Sequence, residues 1–185
     1  MVEKVQSLNR KHRIAVAWAL DANTVIAVHE AVIRGFAQGI LIGDAEGIKS
    51  ICRKAGIDHR LFILKDAGNE AAAAIEAVRM TRSGEADIVM KGLVGTDIFH
   101  REVMDKNRGL LLPGSLMSYV CALQLPSYHK LLFITDPAVI PEPSLEQKIS
   151  MTEYAVGMAM RFGIKKPKIA LISASEKPSR HFRSS

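Results

Sequence analysis

Aromatic residues are scarce in this chain, at 5% of positions with a single tryptophan, and no arginine-rich run interleaves with them. A base-stacking platform for nucleic acid is therefore poorly supported. Cysteine is scarcer still: Cys52 and Cys121 stand far apart, with neither CxxC nor zinc-ligand spacing. This excludes a disulfide framework and a thiolate metal site, and predicts two reduced, packed thiols. No uninterrupted apolar run approaches the ~20 residues that span a bilayer, and the opening Met1-Val2-Glu3-Lys4 has no apolar core of a signal peptide. The expectation is a cytoplasmic protein with no membrane partner. Whole classes of chemistry also lack their motifs, because there is no GxxxxGK(S/T) phosphate loop, no GxGxxG after the first strand, no HExxH, no GxSxG elbow and no EF-hand.

What is present suffices for a core: 185 residues, 48% of them apolar and 24% charged. The 25 Lys and Arg outnumber 19 Asp and Glu, and the net charge of +6 favours an anionic partner such as phosphate, an acidic cofactor or nucleic acid. For nucleic acid the candidates are Lys177, Arg180 and Arg183, which read better as a solvated terminus.

Along the chain, short apolar runs alternate with helical periodicity. Residues 13–20 read as a strand closed by Asp21, a good helix cap. Val25, Val28, Val32 and Phe36 recur at helical intervals and predict a helix over 23–38 stopped by Gly39, with His29 as a packing residue. Residues 39–43 form a second strand, Asp44 caps a helix over 45–55, and 61–64 form a third strand. An alanine-rich helix follows over 70–82, broken by Ser83-Gly84, and 88–90 is the fourth strand. The four alanines at 71–74 read as helix filler. Such alternation predicts a parallel sheet covered on both faces, with ligands beyond the carboxyl ends of its strands.

The fourth strand empties into Lys91-Gly92-Leu93-Val94-Gly95-Thr96, the stretch that reads most like a site. Gly92 and Gly95 allow close backbone approach, and Thr96 is placed to cap a helix over 97–105. The start of that helix suits an anion, to which Lys91 adds a charge and Arg101 a forked donor. Beyond it, apolar runs at 110–125 and 128–135 can pair antiparallel and make the sheet mixed. Pro141-Glu142-Pro143 reads as a lobe boundary, Ser144 with Gln147 as a capping box for a helix to 161 or 162, and 168–172 as a last strand. The expected fold is a three-layer α/β/α arrangement with a mostly parallel, mixed sheet over 1–143. The start of a second α/β lobe follows over 144–185.

Three stretches occur here in the order of a known family: Met90-Lys91-Gly92-Leu93-Val94-Gly95-Thr96, Leu131-Leu132-Phe133-Ile134-Thr135-Asp136 and Pro167-Lys168-Ile169-Ala170-Leu171. Together they make the chain resemble the phosphate acyltransferases over nearly its whole length. The Met-Lys-Gly turn and the Tyr128-His129-Lys130 approach to Thr135-Asp136 resemble butyryl more than acetyl transferases. The resemblance implies transfer of a short acyl group between coenzyme A and inorganic phosphate, with butyryl-CoA as acyl donor, no tightly bound cofactor, no metal, and a homodimer or larger assembly. By position it implies a phosphate or CoA contact for Thr96, Arg101 and Ser118, joined by Lys91, Gly92, Gly95 and Asp136 as substrate-binding candidates. Departures from the family pattern are Tyr119 for histidine, His100 for an apolar residue, and Pro137 for a small one. Family members run on past residue 185, and their catalytic serine, arginine and aspartate fall in that part, so no residue here is assigned a catalytic role. The alternatives are an acetyltransferase, or a non-catalytic CoA- or phosphate-binding or dimer-partner module.

Overall fold

The computed structural model describes residues 5–7 and 10–172. Lys177, Arg180 and Arg183 lie outside the described residues. The chain divides into two compact units, Met1–Pro113 and Gly114–Ser185.

In the first unit, β1 (His12–Ala17), β2 (Ala37–Gly43), β3 (Ile63–Asp66) and β4 (Ile88–Lys91) form one sheet in the order β3-β2-β1-β4. Every pairing is parallel. Its helices include α1 (Ala22–Ile33), α2 (Ala45–Lys54), α3 (Glu70–Arg82) and α4 (Thr96–Met104), with a 3₁₀ turn at His59–Leu61. Alternation along β1 and β2 explains the layering. Ala15, Ala17, Ile40 and Ile42 point to one face, against Ala73, Ala74, Ala77 and Met80 of α3, with Ile98 and Phe99 of α4 packed alongside. Val16 and Leu41 point to the other, against Val25 and Val28 of α1 and Ile48 and Cys52 of α2. The three α/β/α layers follow directly.

The caps hold each helix start where the chain leaves the sheet. Asp21 accepts from the Thr24 amide, Asp44 from Glu46, and Asn69 from Ala72. Alanine is more than filler in α3: Ala73, Ala74 and Ala77 are fully buried, and their small side chains let the helix lie close on the alanines of β1. Two expectations needed correction. The helix expected to reach residue 38 ends at Ile33, because Gly35 turns left-handed at φ 83° and its amide closes on the Val32 carbonyl. Gly39 instead lies in β2, where a Cβ would come within 2.7 Å of Val28 Cγ1 and 2.8 Å of Phe62 Cδ1. The third strand starts at Ile63, since Asp58 caps the 3₁₀ turn over the residues before it.

In the second unit, β5 (Val120–Leu123) and β6 (Leu132–Thr135) pair antiparallel, as expected, but make their own two-stranded sheet instead of extending the parallel one. Helix α5 (Leu145–Arg161) starts at the expected capping box, with Ser144 and Gln147 each bonding the other's backbone, and its Phe162 end meets Phe133 edge to face. Residues 168–172 form no strand: they find no ladder partner among the described residues, and Leu171 and Ile172 are exposed. Backbone donors and acceptors in a strand need a neighbour, which periodicity alone does not supply. Among the described residues no helix is long and apolar enough to cross a membrane.

Candidate functional site

The sheet order sets the position of the candidate site. From β1 the chain steps outward to β2 and β3, then returns to place β4 on the other side of β1. The carboxyl ends of β1 and β4 therefore flank a topological switch point, where open α/β sheets take ligands. The Lys91 turn leaves β4 at this point.

Gly92 holds the turn against the end of β1. Its amide donates to the Ala17 carbonyl at 3.0 Å, and the Leu93 amide donates to the Trp18 carbonyl at 2.9 Å. A Cβ on Gly92 would sit 2.5 Å from the Trp18 oxygen and 2.7 Å from that of Ala17. Val94 is buried beneath the turn, while Lys91, Leu93 and Thr96 are exposed. The Lys91 ammonium lies 3.5 Å from the Gly92 carbonyl oxygen.

Helix α4 begins one residue earlier than expected, so Thr96 is its first helical residue and Gly95 takes the cap position. No side chain caps it there. The amides of its first turn have no intrahelical acceptor, which makes this end electropositive. One group already exploits that: Glu70, at the start of α3, accepts the Gly95 amide at 2.9 Å.

Arg101 is not beside this turn on the helix surface. Five residues past Thr96, it lies roughly 7.5 Å farther along the axis and about 140° around it. There its guanidinium is 3.7 Å from Glu102, the buried charged residue of the described chain. Glu102 also pairs with Arg108 at 3.0 Å, and Asp105 accepts the Asn107 and Arg108 amides. Those amide bonds hold the Asp105 carboxyl below its ordinary range. The far end of α4 is thus a charged cluster in which Arg101 and Arg108 share one buried carboxylate, with both arginine side chains mostly exposed.

Ser118 and Asp136 belong to the second unit. The Ser118 and Thr135 hydroxyls are 3.4 Å apart. The Thr135–Asp136 peptide bond is cis. The Asp136 carboxylate accepts from the amides of Tyr119 (2.9 Å), Ala138 (2.9 Å) and Val139 (2.7 Å). Burial raises the Asp136 pKa, but the amides of Val139, Ala138, Tyr119 and Ile140 outweigh it, and the carboxyl ends below its ordinary range. Its oxygens are committed to shaping the polar turn after β6.

The structure thus gathers Lys91, Gly92, Gly95 and Thr96 into one turn, places Arg101 on a separate charged cluster, and puts Ser118 with Asp136 around the end of β6. Sequence reasoning missed Trp18, Glu70 and Glu102. None carries a motif, and each gains its role from a partner at least twenty residues away or from burial.

The family model described as phosphate acetyl/butaryl transferase matches residues 65–185, which include both the Lys91 turn and the Thr135-Asp136 turn. The chain belongs to this family. The phosphate butyryltransferase of Clostridium acetobutylicum is 40% identical over 95% of this chain and 58% of its own length. The phosphate acetyltransferase of Thermotoga maritima is 31% identical over the same shares, 95% and 58%. Among solved structures, a branched-chain phosphotransacylase from Enterococcus faecalis superposes with a TM-score of 0.78 at 27% identity, covering 94% of this chain and 60% of that one. The chain spans somewhat over half the length of the curated relatives it matches. The parallel α/β core is thus shared with that phosphotransacylase.

Proposed function

We propose that the chain takes part in acyl exchange between coenzyme A and inorganic phosphate, with butyryl-CoA and phosphate going to butyryl phosphate and CoA. The observation that carries this reading is a Lys91–Thr96 turn at the sheet's switch point in a chain that belongs to this family. The Clostridium acetobutylicum protein named butyryltransferase is 40% identical against 31% for the Thermotoga maritima acetyltransferase, which supports butyryl over acetyl. In this reading the α4 start, Lys91 and Thr96 hold a phosphate group, the exposed Arg101 farther along α4 is a separate candidate donor, and Ser118 is a candidate phosphate or CoA contact on the second unit by itself. Asp136 acts by fixing its turn. CoA is substrate, no cofactor is held tightly, the protein is cytoplasmic, and it works as a homodimer or larger assembly. The second lobe starting at residue 144 belongs to the same proposal.

Calorimetric titration with CoA and with phosphate, beside a thiol-release assay on butyryl-CoA and acetyl-CoA, tests the reading. Binding is expected, with any release faster from butyryl-CoA. Binding without release from either thioester favours the alternative, a CoA-binding module. Absence of binding to both ligands sinks the proposal.

Glu70 supplies a separate prediction. Its negative charge sits at the helix end where the anion would bind, so Glu70→Gln, which keeps an acceptor for Gly95, should tighten phosphate binding. A charge at a helix terminus is worth about 0.3–1 kcal/mol, or roughly 2- to 5-fold in the dissociation constant. Weaker binding in the variant would show that the carboxylate serves the site.

A further inference from the structure

Trp18, the chain's one tryptophan, follows the last residue of β1 with φ at +60°. A left-handed conformation at a bulky residue costs on the order of 1–2 kcal/mol and persists only where surrounding bonds over-determine it. Those bonds are identifiable. In an extended strand successive carbonyls point to opposite neighbours, so Ala17 and Trp18 should address β4 and β2 in turn. Here both carbonyls face the β4 side, Ala17 accepting Gly92 and Trp18 accepting Leu93. The next amide, Ala19, returns to β2 by donating to Ile42, and Leu20 donates to Trp18. The left-handed step turns one carbonyl around, and two consecutive amides of the glycine turn are held by the end of one strand.

We infer that Trp18 is a positioning residue for the anion-binding turn. By holding its backbone left-handed, it docks Gly92 and Leu93 on β1 and so fixes where Lys91, Thr96 and the start of α4 face a phosphate-bearing ligand. The indole contributes packing instead. It is half-buried on the alanine-rich face of the core, with Cε3 at 3.5 Å from where a Gly43 Cβ would lie. The inference rests on the proposed CoA and phosphate site for its functional consequence, and on the backbone bonds for its geometry.

The backbone and indole roles separate by substitution. Glycine and asparagine accept φ near +60° readily, whereas valine, β-branched, resists it most. If the backbone positions the turn, Trp18→Gly and Trp18→Asn keep slow hydrogen exchange at the Gly92 and Leu93 amides and bind CoA within about 3-fold of the parent, despite lower melting temperatures. Trp18→Val then loses that protection and at least 10-fold in CoA affinity, although it retains more apolar volume than glycine. The opposite order, with glycine worst and valine closest to the parent, would mean that packing alone matters and overturns the inference. Exchange needs no ligand. Protection that tracks left-handed tolerance in a parent protein binding neither CoA nor phosphate would therefore remove the functional reading while upholding the geometry.

Discussion

Gly92→Ala is expected to weaken CoA and phosphate binding by at least 10-fold and to destabilise the first unit by about 1–3 kcal/mol, the usual cost of overpacking a tight site. The added Cβ would stand 2.5 Å from the Trp18 oxygen, 2.7 Å from the Ala17 oxygen and 3.0 Å from the Trp18 carbonyl carbon. All are backbone atoms, and both oxygens are the acceptors that hold Gly92 and Leu93. Neither can swing aside as a side chain would, because β1 is clamped between β2 and β4. The turn must lift off the strand end. Gly68→Ala, outside the turn, is the control: its added Cβ would meet nothing within 4 Å and its backbone is not left-handed. Calorimetry and thermal unfolding read both variants; parent-like affinity in Gly92→Ala would disconnect the turn from the ligand.

Asp136→Ala should loosen the second unit by about 1–3 kcal/mol, since one carboxylate ties the Tyr119, Ala138 and Val139 amides and each is left without its acceptor. Asp136→Asn, retaining one carbonyl oxygen, should lose less. The same bonds set the acid response. The folded pKa is depressed, so the carboxylate's contribution is fully present above the unfolded value of ~3.9 and is lost as pH falls below it through the folded pKa. Acid unfolding followed by circular dichroism should show the alanine variant with a smaller stability loss below pH ~4 than the parent. Equal acid sensitivity in the two proteins would exclude Asp136 as the group responsible.

Much of the first unit was legible because its signals are local. Asp21, Asp44 and the helix over 70–82 are read from a cap followed by 3.6-residue periodicity, and both act over a few neighbouring residues. The glycine turn after β4 was legible for the same reason, as was the Ser144 capping box. The errors arose where two local signals competed. Phe36 continued the helical spacing of α1, but Gly35 had already ended the helix, leaving Ala37 and Gly39 for a strand. Residues 168–172 have strand composition, yet no edge among the described residues pairs with them. Of the candidate site, Thr96 was expected as a cap and Arg101 as its neighbour. Gly95 takes the cap, and Glu102 draws Arg101 into another cluster.

By itself, the sequence determined that this is an α/β protein of the phosphate acyltransferase type, where its strands and helices alternate, and that a glycine turn follows the fourth strand. Those properties follow from composition, periodicity and ordered motifs, all readable along one dimension. Only the tertiary structure decided that β4 returns beside β1, that Glu70 occupies the amide of Gly95, and that a left-handed Trp18 turns its carbonyl toward Leu93. The physical reason is the same in each case. A backbone oxygen or carboxylate finds its partner through space, at separations of 25 to 75 residues in these contacts, where no local propensity distinguishes one acceptor from another.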